Sequence, residues 1–189
     1  SFQVITNDID TNFFNIDYVY TNGINKYSDI VNKKDIVMFL GYDIFVNTDQ
    51  SVINDFLKNK DSQIILLPNK GDSQKNKYVF NVSDSLIIES SYFSNIVGTY
   101  DTTRINDDIK LEFQNFINEK LKLYNYFYHQ SNLGSQFKIN DNAIWSRFKI
   151  EQGYFDLFGF VINSGNNLFS SESFFSAPFL YYVTLNDRI

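Results

Sequence analysis

NDDIKLEFQNFINEKLKLYNYFYHQ, Asn106–Gln130, is the stretch on which the fold expected from this sequence turns. At 100° per residue Ile109, Phe113, Phe116, Ile117, Tyr124 and Phe127 fall on one stripe, with Leu121 and Leu123 at its edges. That spacing predicts a long amphipathic helix. Asp107 and Asp108 stand in its first turn, where negative charge complements the helix dipole, and Ser131–Gly134 (SNLG) closes it. Lys120 falls inside the apolar stripe. A lysine there snorkels past the rim of a sheet, meets a carboxylate, or stands at the mouth of an apolar cavity.

Toward the C-terminus, SQFKIN (135–140), NAIWSRFKIE (142–151), GYFDLFGFVIN (153–163) and APFLYYVTLN (177–186) read as strands in an antiparallel meander, separated by Asn, Asp, Gly and Ser clusters. In the second of these, Ile144, Ser146, Phe148 and Ile150 share one face, and Trp145, Arg147 and Lys149 share the other. Toward the N-terminus, FQVI (2–5) and FFNIDYVY (13–20) are strand-like, and Asn22-Gly23 is a hairpin signal. DIVMFLGYDIFVN (35–47) reads as one or two buried strands with a bend at Gly41. A short helix follows, capped by Thr48 or Asp49 and carrying Val52, Ile53, Phe56 and Leu57 at helical spacing. QIILLP (63–68) is a compact buried strand, and this strand–helix–strand order suggests a βαβ or split βαβ unit. Residues 69–77 read as a solvated loop, KYVFNV (77–82) and SLIIES (85–90) as two strands, and 92–104 as a helical turn running into a loop. The expected class is α+β over residues 1–189 as one globular domain. A long helix packs on a curved, mainly antiparallel sheet, beside an N-terminal hairpin and a short second helix.

Composition narrows the function classes. Carboxylates outnumber Lys and Arg 22 to 16, for a formal charge of −6, and no basic cluster could track a phosphate backbone, so no nucleic-acid partner is expected. The chain has no cysteine and a single histidine, His129, which excludes disulfides, thiol chemistry and cysteine-rich zinc sites. The Asp pairs lack the spacing of a calcium loop, and no glycine-rich phosphate loop or nucleophile elbow occurs. No catalytic or metal-ligating residue and no cofactor is therefore assigned. On the predicted helix His129 lies off the apolar face, near the dipole's negative end, as a solvated side chain. No apolar run approaches the roughly 20 residues that span a bilayer.

Aromatics are the least bland feature, with 20 Phe and 13 Tyr in 189 residues. They fill a core that has only two alanines, Ala143 and Ala177, and they can also line a pocket or anchor an interface. Lys120, Tyr124, Phe127, Tyr128 and Trp145 form the candidate ligand-binding set, at the mouth of an aromatic-lined cavity behind the long helix.

This Cys-free, acidic, Asn-, Ile- and Phe-rich, Ala-poor composition resembles the outer-surface lipoprotein ectodomains of AT-rich spirochaetes. The resemblance implies a cell-surface, extracytoplasmic location and a lipidated cysteine upstream of Ser1. It also implies a non-enzymatic domain that binds a protein partner. A carrier or enzyme for a small apolar ligand is the alternative.

Overall fold

The computed structural model describes residues 2–6, 17–20, 35–68, 72, 75–83, 86–93, 100–101, 126–129, 135–139 and 142–159. In chain order the elements are β1 (Phe2–Thr6), β2 (Asp17–Tyr20), β3 (Ile36–Leu40), α1 (Tyr42–Val46), α2 (Gln50–Leu57), β4 (Gln63–Leu67), β5 (Lys77–Ser83), β6 (Leu86–Phe93), β7 (Tyr100–Asp101), β8 (Tyr126–His129), β9 (Ser135–Ile139), β10 (Asn142–Ile150) and β11 (Gly153–Phe158).

IVMFL and QIILL do not alternate apolar with polar, because neither strand has a wet face. All five residues of β3 and all five of β4 are buried. Such strands belong in the interior of a parallel sheet. β3 pairs β4 in parallel from Ile36↔Gln63 to Leu40↔Leu67, and β4 pairs β11 in parallel from Gln63↔Tyr154 to Leu66↔Leu157. β1 runs parallel to both β2 and β3. The sheet path is β2-β1-β3-β4-β11-β10-β8-β6-β5, with β7 and β9 branching from it. Its first five strands are parallel, and antiparallel pairing begins where β10 meets β11.

The chain leaves β3 at Gly41, whose φ of 147° is open to glycine and strained for other residues. Its N–H donates to Leu67 O at 2.8 Å, tying the end of β3 to the end of β4. Asp49 caps α2, accepting from the Ser51 N–H and hydroxyl, both at 2.9 Å, and these bonds hold its carboxyl below the usual range.

Val37, Phe39, Ile64, Leu66, Phe155 and Leu157 present one sheet face to Phe45, Val52, Ile53, Phe56 and Leu57 of the helices. The β5–β6 hairpin adds Tyr78, Phe80, Val82 and Ile88 to the same cluster. Phe45 sits at its centre, with ring centroids 5.2 Å from Phe39, 5.9 Å from Phe80 and 5.5 Å from Phe155. Those separations suit edge-on and tilted aromatic packing. On the opposite face Ile36, Met38, Leu40, Ile65 and Leu67 are also fully buried.

Several expectations are corrected. The long helix does not extend through its C-terminal turns: Tyr126–His129 is strand β8, paired antiparallel with β6 from Ser90↔His129 to Phe93↔Tyr126. Residues 106–125 lie outside the described residues. Among those described, the longest helix is α2, of eight residues, so the α+β arrangement of a long helix on a sheet is replaced by a largely parallel-to-antiparallel mixed sheet with two short helices. The helical wheel misled because YNYFYH is dense in aromatics, which fit a pleated surface at period two as readily as a helical stripe. His129 accordingly lies in an inner strand and not at a helix end. The N-terminal hairpin is likewise replaced, since β2 and β3 flank β1 in parallel and do not pair with each other. Residues after Gly41, read as strand, form α1.

At the other end of the sheet, the Glu151–Gln152 turn docks on the α2–β4 connection. Asp61 N–H donates to Gln152 O at 2.9 Å, Gln152 N–H to Leu57 O at 3.1 Å, and Tyr154 N–H to Ser62 O at 2.7 Å. Gly153 permits this approach, because a Cβ there would lie 2.9 Å from both Leu57 Cδ2 and the Ser62 carbonyl oxygen. Gly153→Ala is expected to destabilise the protein by about 1–3 kcal/mol in urea unfolding, the range for forced overpacking. A change below about 0.5 kcal/mol would show that the turn docks loosely.

Candidate functional site

In a sheet ordered 2-1-3-4-5, ligands settle beyond the carboxyl ends of the strands, near the point where the strand order reverses. Here that reversal lies between β1 and β3. What stands beyond β3 and β4 is a carboxyl group of the chain itself. Asp72, 1 % exposed, accepts from the Tyr42 N–H at 2.7 Å, the Asp43 N–H at 3.3 Å and the Tyr78 hydroxyl at 3.2 Å. The first two are opening amides of α1, which have no partner within the helix. Asp72 gives an internal anion to the groups that an anionic ligand would otherwise seek.

The surrounding groups are drawn into the same cluster. The Tyr42 hydroxyl donates to Phe158 O at 2.5 Å, linking α1 to the end of β11. Burial pushes the Tyr42 phenol far above its ordinary range; the adjacent Ser90 hydroxyl opposes that and Asp72 adds to it. Tyr78 is raised by burial first, then by Asp72 and Asp43. Both phenols stay protonated and serve as donors and packing surfaces: the Tyr42 ring meets Tyr78 at 5.1 Å and Phe80 at 4.8 Å, edge-on. At the solvent side Lys75 pairs with Asp43 at 2.7 Å and lies 5.3 Å over the Tyr78 ring.

A second charged cluster lies on the face of β10 and β11 away from the helices. Cross-strand register sets three contacts in a row: Trp145 opposite Phe158, Arg147 opposite Asp156 and Lys149 opposite Tyr154. The first is a stacked ring pair at 5.0 Å, the second an ion pair at 2.8 Å, the third a cation over a ring at 4.3 Å. Asp156 is fully buried, and its Oδ1 accepts from Trp145 Nε1 at 2.9 Å and Arg147 Nε at 2.8 Å, while Oδ2 accepts from Gln63 Nε2 at 2.7 Å. A buried carboxylate is tolerable when its lone pairs are met in this way. The network ties β4, β10 and β11 together on a face where apolar contacts alone would not select a register.

Of the candidate ligand-binding residues, Lys120 and Tyr124 lie outside the described residues. Phe127 and Tyr128 fall in β8, at the register positions of Tyr92 and Ser91. Trp145 is 3 % exposed, with its indole N–H engaged by Asp156 and its ring between Phe158 and Arg147. Tyr126–His129, the part of the predicted helix that is described, is the inner strand β8. Sequence reasoning missed both aspartates. Asp156 carried a signal, as the lone charge inside GYFDLFGF. Asp72 carried none, because its loop has the polar composition of a solvated one.

No family model matches the chain, and no curated protein matches it. Among solved structures it is similar to a cytoplasmic protein from Salmonella typhimurium LT2, at 10 % identity and a TM-score of 0.45, over 96 % of this chain and 93 % of that one. A likeness this distant assigns neither a fold family nor an activity. The cell-surface location expected from composition is corrected here: the similar structure is described as cytoplasmic, the reverse of that expectation. No compartment is put in its place. No helix among the described residues is long and apolar enough to cross a membrane.

The Asp156 network generates a direct test. Asp156→Ala strands two buried donors and the part-buried Arg147 guanidinium, and is expected to cost about 3–5 kcal/mol in urea unfolding. A loss below about 1 kcal/mol would mean that solvent reaches the network.

Proposed function

We propose that this chain is a binding module and not a catalyst, and that it engages a protein partner through the outward face of the β5–β6 hairpin. The observation that carries the reading is the exposure of Ile87 and Val79, at 66 % and 50 %. The register sets Val79 opposite Glu89 and Asn81 opposite Ile87, so the two apolar side chains are diagonal neighbours on one face. A Lys77–Glu89 ion pair at 2.7 Å, half exposed on both sides, borders them. An apolar centre with a charged border is how protein-binding surfaces are commonly built, whereas single exposed apolar residues call for no explanation. Support also comes from the two buried carboxyl groups. Asp72 and Asp156 are committed to holding strands and helix together and are not presented to a substrate.

The test uses the hairpin face itself. Val79→Lys/Ile87→Lys replaces the apolar pair at solvent-facing positions and is expected to leave thermal unfolding within about 1–2 °C of wild type. Immobilised wild-type protein, exposed to an extract of the cells that make it, is expected to retain a partner that the double variant loses at least tenfold. Equal retention by both proteins, or no retained partner, would overturn the reading.

A further inference from the structure

We draw no further inference here: the strongest candidate, the outward face of the β5–β6 hairpin around Val79 and Ile87 as a surface for a second copy of this chain, carries nothing, because it belongs to the partner surface already described and nothing in the structure shows that a second copy covers it.

Discussion

Neither face of β3 or β4 touches water, and most other features follow from how the chain meets that condition. Ten consecutive-strand residues, Ile36–Leu40 and Gln63–Leu67, must be covered above and below. Burying each large apolar side chain is worth about 1.5–3 kcal/mol, so these two strands supply a large share of the driving force. One face is covered by α1 and α2, which the short Gly41 and Thr48–Asp49 connections fold back over the sheet. Parallel pairing of β3 with β4 requires such a crossover, because no tight turn can join parallel neighbours. β11 then enters beside β4 and brings Phe155 and Leu157 into the same layer.

Hydrophobic burial is non-directional, so it does not by itself settle which strand lies where. Polar contacts do that at both ends of the parallel strands. At the carboxyl ends, Asp72 fixes the start of α1, and Tyr42 reaches across to the Phe158 carbonyl. On the opposite face, Asp156 gathers Gln63, Trp145 and Arg147 from two neighbouring strands. A one-residue slip of β11 would turn Asp156 into the apolar layer around Phe45, with its donors left behind. These groups act as register marks, and the same commitment withdraws them from chemistry. Among the described residues, the outer face of β5 and β6 exposes Val79 and Ile87.

The parts of the fold legible in the sequence are those with a local signal. QIILL and IVMFL announce buried strands by unbroken apolar character, and Val52, Ile53, Phe56 and Leu57 announce α2, with Asp49 as its cap. The alternation of Ile144 to Ile150 against Trp145 to Lys149 anticipated the two faces of β10 and the antiparallel partner β11. What was not legible depends on partners distant in the chain. Nothing near Phe2–Thr6 tells that β1 lies between β2 and β3 in parallel. An aromatic run such as YNYFYH satisfies helical and strand periods together, and only its pairing with β6 decides for strand in Tyr126–His129. Asp72 was missed for the same reason: it gains its role from amides some 30 residues earlier in the chain.

The account makes the parallel triplet β3, β4 and β11 the last part of the molecule to open, with the β5–β6 hairpin less protected. Native-state hydrogen exchange measures this most directly. The amides of Ile36–Leu40, Ile64–Leu67 and Phe155–Leu157 are predicted to exchange only through global unfolding, with the largest opening free energies in the chain. Greater protection in β5 and β6 than in these three strands would contradict it.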